Sequence, residues 1–258
     1  MNTFNFKLGS VPYLNARPLT DWFTETDEGQ ALGARVEFIL PSELAPRLEP
    51  GDFAAGLVSA IAWIRRPQLV YAPGISVACD GAVRSVRLFS KVPVERIQRV
   101  ALDTSSLTSV ALTKLLLEER FGIRPEYTPM APELDAMLAS HDAALLIGDK
   151  GYQDYDTGLL ALDLGEIWKE WTDLPFVFAL WIGRPDLLTE ALCAHLLKAK
   201  EWGVAHLDAI AARRAHEHGE SHERAAAYFS HAIVYDLGAR EEEGLRLFAE
   251  KIRARGLI

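Results

Sequence analysis

Apolar and polar positions along the chain fall into two periods. Residues 4–11 and 36–40 read as short strands, and 54–58 reads as a third. Between them, 14–23 and 42–48 carry apolar residues at three- and four-residue steps, the spacing that puts side chains on one helix face. Residues 12–15 supply the turn into the first of these helices, and Ser59 stands where it could cap a further helix over 59–66. The first third of the chain therefore predicts β-α-β-α-β. The same order returns later. Residues 97–102 read as a strand, 106–120 as a helix with Ala111, Leu112, Leu115 and Leu116 on one face and Gly122 just beyond its end, and 124–128 as a strand. A short helix over 132–139 has proline in its first turn, and 143–147 is a strand that runs into Gly148 and Asp149. The third strands of the two series are alike, AAGLVS at 54–59 and AALLIG at 143–148. Strands and helices alternating at these lengths predict parallel pairing with right-handed crossovers.

Two further runs, 75–91 and 176–183, are extended and lie on either side of the second series. They read as crossings between two lobes. The expected division is lobe 1 from residues 1–86 plus 181–258 and lobe 2 from 87–180, each a small, mainly parallel sheet flanked by helices, with a ligand cleft between them. Residues 185–217, 221–231 and 240–255 are helical in pattern, with Gly256 just past the last.

Composition narrows the classes of function. Hydrophobic residues make up 49% of the chain and charged residues 24%, the balance of a folded globular protein and not of a disordered one. A net charge of −9 argues against nucleic-acid binding, which needs a basic face to displace counterions from phosphates. The N-terminal residues lack the apolar core of a secretory signal, and no apolar run reaches the roughly 18 residues of a membrane span, so a cytoplasmic protein without membrane partners is expected. Cys79 and Cys193 are far apart and outside any CxxC spacing, so they read as reduced thiols.

The densest candidate chemistry lies in LDTSSLTSVAL, residues 102–112. It reads as the end of a strand, a polar turn and a helix start. The first turn of a helix has backbone N–H groups with no internal partner and the positive end of the peptide dipoles, so it can hold an anion. Five hydroxyl residues stand in the six positions 104–109, more than a helix cap requires. Asp103, Thr104, Ser105 and Ser106 are therefore read as the floor of a site for a carboxylate. Asn15, Ser59, Gly148 and Asp149 also follow the carboxyl ends of predicted strands, where ligands gather in open α/β sheets. Tyr13 and Trp22 are the aromatic residues nearest Asn15 in sequence. Strand alternation over 84–87 would put Arg84 on the opposite face from Ser85 and Arg87. His216, His218 and His222 are read as a solvated turn and not as a metal site, because Gly219 interrupts the set and no cysteine joins it. His141 reads as a helix-end residue.

Taken together and in order, VPYLNARPL (11–19), GAVRSVRLFSK (81–91), LDTSSLTSVAL, ALLIGD (144–149) and DLPFVFALW (173–181) resemble the chorismate dehydratases of the futalosine route to menaquinone. The resemblance implies a two-lobed fold like that of type II periplasmic binding proteins, in a cytoplasmic lyase. It implies removal of water from chorismate to give 3-[(1-carboxyvinyl)oxy]benzoate, with no metal or organic cofactor. The partner expected is this small dicarboxylate substrate, and both a monomer and a homodimer are open. Asn15 and Ser85 match polar positions expected to contact the substrate catalytically, and Thr104, Ser105 and Ser106 match the carboxylate-binding segment. Two positions depart from the family pattern. Ser59-Ala60 stands where a Pro-Ser pair is expected, and Lys150-Gly151 where small or apolar residues are more usual.

Chorismate carries two carboxylates, so its site needs two donor sets. The helix start at 105–106 could take one, and Ser59, Ser85 and nearby backbone the other. The matched motifs contain no histidine, and Asp103 reads as ordering its own turn. The base is therefore expected to be the enolpyruvyl carboxylate of the substrate itself, with Asn15 orienting it. The competing readings are a dihydroxynaphthoate synthase of the same pathway and a non-catalytic protein that binds small carboxylates.

Overall fold

The computed structural model describes residues 6–155 and 158–257. The chain divides into two compact units, Met1–Ala78 with Val177–Ala239, and Cys79–Phe176 with Arg240–Ile258. In chain order the strands are β1 (Lys7–Ser10), β2 (Arg35–Phe38), β3 (Ala55–Ser59), β4 (Val70–Tyr71), β5 (Val77–Cys79), β6 (Val86–Ser90), β7 (Arg99–Asp103), β8 (Glu126–Met130), β9 (Ala143–Ile147), β10 (Leu160–Asp163) and β11 (Phe176–Gly183).

One sheet has the order β2-β1-β3-β11-β4, with β5 also pairing with β11. Its β2, β1 and β3 are parallel, and β11 runs antiparallel to both β3 and β4. The other sheet has the order β10-β6-β9-β7-β8. There β9, β7 and β8 are parallel, whereas β6 is antiparallel to β9 and β10 to β6. Each sheet thus contains three adjacent parallel strands from one β-α-β-α-β series, to which antiparallel strands are added. Burial follows strand position. Every residue of the central β9 is buried, and so is all of β11 except Ala179. A strand covered on both faces is apolar throughout instead of alternating. No residue of the edge strands β2 and β8 is buried, and β8 accommodates Pro129 because an edge strand can spare a ladder N–H. The short β4 and β10 are absent from the sequence reading.

The helices differ locally from their predicted spans. The region 14–23 splits into a 3-10 turn, Leu14–Leu19, and an α-turn, Asp21–Glu25. Pro18 lies inside the first segment and has no N–H to give a continuous helix. Ser59 does not cap the next helix. It is still paired in β3, opposite Ala179, and the helix Ile61–Arg65 begins after Ala60. In the second unit the helix Leu107–Leu115 passes into a π-turn, Leu116–Arg120, and ends at Gly122, whose φ of 70° is the left-handed conformation of a helix stop.

The observed division also departs from the expected one at the C-terminus. The helix Ala239–Ala254, expected in lobe 1, belongs from Arg240 onward to the second unit. Phe248 packs edge-on against Phe176 and Trp168, at centroid separations of 4.9 and 6.1 Å, and Lys251 and Arg255 both pair with Glu119. Gly244 permits the approach, because a Cβ there would lie 2.1 Å from the Pro175 carbonyl. Among the described residues, no helix is long and apolar enough to cross a membrane.

Candidate functional site

In the first unit β1 and β3 are parallel, so their carboxyl ends lie on one sheet edge. Asn15 follows β1 on the 3-10 turn, and Ser59 ends β3. Both are half-buried. Asn15 Nδ2 donates to the Tyr228 hydroxyl at 3.1 Å, and the Tyr235 hydroxyl donates to the Asn15 carbonyl at 3.2 Å. Tyr228 comes from the helix His222–His231, and Tyr235 follows the bridge between Val234 and Ala78. Burial pushes the Tyr235 phenol well above its ordinary pKa, and the neighbouring Tyr228 adds to the shift, so Tyr235 remains a donor at neutral pH. Neither tyrosine was signalled by the sequence. Tyr228 sits on an ordinary apolar helix face with Ala225 and Phe229. Trp22, by contrast, is core, packed edge-on against Phe23.

In the second unit β7 and β9 are parallel, and their carboxyl ends carry Asp103–Ser106 and Gly148–Asp149. Ser85 joins them because β6 is antiparallel to β9, with Val86 opposite Ile147, so the start of β6 meets the end of β9. This edge therefore gathers Ser85, Asp103, Thr104, Ser105, Ser106, Gly148 and Asp149, the predicted site residues of that unit. Ser106 is the N-cap of the helix starting at Leu107; its Oγ accepts from Ser109 N–H at 3.3 Å and lies 3.1 Å from Ser109 Oγ. Thr108 and Ser109 are buried, and Thr113 donates to the Ser109 carbonyl. Of the five hydroxyl residues, only Thr104, Ser105 and Ser106 therefore remain at the surface, the first exposed and the others half-buried. This helix start can offer hydroxyls and first-turn amides to an anion.

Asp103 holds the turn from below. Its Oδ1 accepts from Ser105 N–H at 2.7 Å and its Oδ2 from Ile147 N–H at 3.2 Å, which ties the end of β7 to the end of β9. Burial pushes its carboxyl above the ordinary value, against the pull of these donors. Gly148 has a φ of 59° at the turn from β9 into the helix Gly148–Tyr152, a conformation in which a Cβ would be strained.

Ser85 is buried, and the preceding turn is set by Asp163. The carboxylate of Asp163 accepts from Val83 N–H at 3.1 Å and Arg84 N–H at 2.6 Å, and it also caps the helix Leu164–Thr172 through Gly165 N–H at 3.0 Å and Glu166 N–H at 3.1 Å. Arg84 takes a left-handed φ of 63°, so strand alternation does not govern its side chain. An aspartate just before a helical pattern is a visible cap signal, but its hold on residues 83 and 84 is not. Arg87 donates to the carbonyls of Gly151 and Gln153 and lies over Phe89, and Lys150 reaches the Pro132 carbonyl and Glu133. His141 Nδ1 is 3.0 Å from the Met137 carbonyl, at the end of its helix. Among the described residues no group of three or more His, Cys, Asp or Glu side chains converges to hold a metal ion.

A family model described as menaquinone biosynthesis matches residues 6–254. A chorismate dehydratase from Thermus thermophilus is 33% identical over 266 residues, spanning 96% of this chain and 95% of that protein. A solved protein from Archaeoglobus fulgidus superposes over the full length of both chains with a TM-score of 0.77 at 20% identity. The alkanesulfonate-binding protein from Xanthomonas axonopodis pv. citri, solved with MOPS bound, gives a TM-score of 0.72 at 14% identity over 98% of this chain and 93% of its own. At these identities the structures establish the fold, which is that of the periplasmic binding proteins.

Proposed function

This chain belongs to the menaquinone-biosynthesis family, and from that premise we propose that it is a chorismate dehydratase, producing 3-[(1-carboxyvinyl)oxy]benzoate and water. The observation that carries the reading is the near-full-length likeness to the Thermus thermophilus enzyme. The donor sets described above fit the chemistry. Chorismate has two carboxylates, and Thr104, Ser105 and Ser106 with the first-turn amides suit its ring carboxylate. The hydrogen to be lost sits on the ring carbon bearing the ether oxygen, and it is conjugated through a ring alkene to that carboxylate. Donors held on the carboxylate stabilise the dienolate that develops as the C–H bond breaks. The enolpyruvyl carboxylate takes the proton, the neighbouring hydroxyl leaves as water, and the ring becomes aromatic. Asn15 orients the substrate so that the substrate's own enolpyruvyl carboxylate reaches the ring hydrogen; Ser85, on the second unit, is the second position assigned to the reacting end, and Ser59, on the first, is a binding position. Gly148 and Asp149 complete the substrate-binding edge of the second unit. The reading carries with it a cytoplasmic, cofactor-free lyase of the futalosine route.

The test is incubation of the purified protein with chorismate alone, with the product followed by liquid chromatography and mass spectrometry. Enzyme-dependent 3-[(1-carboxyvinyl)oxy]benzoate is the expected result. Asn15→Ala should lower turnover by about a hundredfold or more while shifting the melting temperature by only a few degrees, since it removes one positioned group. A thermal shift with chorismate but no product would indicate a binding protein, and neither response would redirect attention to dihydroxynaphthoate synthesis.

A further inference from the structure

We propose that Tyr228 is a positioning residue for the reaction, holding the Asn15 amide in the rotamer that serves the substrate, with Tyr235 holding the Asn15 backbone; this rests on the dehydratase reading above. An asparagine on a short 3-10 turn has no local restraint on its amide. Its side chain has two rotatable bonds, the second a terminal torsion with a broad minimum, so nothing local fixes the plane of the amide. Here Nδ2 is tied to the Tyr228 hydroxyl and the main chain to the Tyr235 hydroxyl, so both ends of the residue are fixed by phenols from one distant segment. Asn15 Oδ1, by contrast, has no hydrogen-bond partner among the described residues, and Asn15 is half-buried. The amide is therefore anchored at one end and open at the other. The open Oδ1 can accept from the ring hydroxyl of chorismate, the one hydrogen-bond donor on the dianion.

The anchors themselves are buried. Tyr228 is 2% exposed and lies beside Phe229 in the helix His222–His231, while Tyr235 is 5% exposed and its carbonyl accepts from Ser76 N–H at 3.0 Å. A tyrosine serving only to pack would be equally well replaced by phenylalanine; the hydroxyl is the informative atom.

The experiment is a double-mutant cycle on kcat and KM for chorismate with wild type, Tyr228→Phe, Asn15→Ala and the double variant. Tyr228→Phe keeps the buried ring, so the fold is retained. The expected result is a fall in kcat of about ten- to a hundredfold with KM changed by less than about threefold, since the lost contact misplaces the orienting amide without removing it. In the Asn15→Ala background the same change should cost less than about twofold, because the amide it positions is gone. An equal loss in both backgrounds would show a structural effect and overturn the proposal, as would full activity of Tyr228→Phe. If wild type shows no turnover, the reaction reading fails separately. The positioning is then read from the Asn15 side-chain NH2 resonances, identified by their loss in Asn15→Ala. They should shift and exchange faster in Tyr228→Phe, and unchanged resonances would overturn the proposal.

Discussion

Replacing Asp163 by alanine should lower the stability of the second unit by about 3 kcal/mol, the sum of a lost helix cap and a stranded donor. Three of the contacts are to the backbone of neighbouring or distant segments at 3.0–3.1 Å through Oδ1, and the fourth is Arg84 N–H to Oδ2. Losing the cap of the helix Leu164–Thr172 costs about 1 kcal/mol. Val83 is 1% exposed, so its N–H finds no replacement water and adds about 2 kcal/mol. Arg84 is exposed, and water can take over its N–H at little cost. Without the carboxylate nothing compensates the left-handed φ of Arg84 in the turn before Ser85. Urea unfolding followed by tryptophan fluorescence is a suitable assay, because Trp168 lies in the capped helix and donates to the Pro175 carbonyl. Asp163→Asn retains one carbonyl acceptor for the cap and should cost less than Asp163→Ala. Adding Arg84→Gly should recover about 1 kcal/mol by removing the left-handed penalty. A loss below about 1 kcal/mol for Asp163→Ala would refute the reasoning, since the cap alone accounts for that much.

Gly151→Ala should destabilise the protein by about 2 kcal/mol and lower turnover together, because a Cβ at 151 would lie 2.2 Å from the Ser85 carbonyl and 2.8 Å from that of Leu146, and backbone cannot swing aside as a side chain can. Melting temperature and chorismate kinetics check it, and a variant with wild-type values of both would contradict the packing. Acid should weaken the second unit through Glu119. Burial alone would raise its carboxyl, but Lys251 at 2.8 Å and Arg255 at 2.9 Å outweigh burial and hold it below the ordinary 4.5. A depressed folded pKa gives stability that is present above the unfolded value and is lost as pH falls through the folded one. The difference in melting temperature between wild type and Glu119→Gln should therefore shrink as pH drops below 4.5, and a constant difference would rule the linkage out.

Much of the edge that carries Thr104–Ser106 and Gly148–Asp149 was legible because its causes are local. A cap, a strand end and a left-handed glycine are each decided within about four residues, by the same unpaired amides and Cβ sterics wherever they occur. The parallel β-α-β-α-β series was legible for a related reason, since the 2.0 and 3.6 periods are written in neighbouring side chains. The five-hydroxyl run also showed the limit of counting. Composition alone could not tell Ser105, at the surface, from Thr108, turned into the unit, because that depends on which helix face the sheet covers. Tertiary structure alone decided what holds these residues in place. Asn15 meets Tyr228 across 213 positions, Arg84 meets Asp163 across 79, and the last helix joins the second unit through Phe248 and Glu119. Contacts at such separations have no period or spacing in the sequence. They exist only once the chain has returned and excluded water, so that a buried hydroxyl or carboxylate must take the partner the fold places beside it.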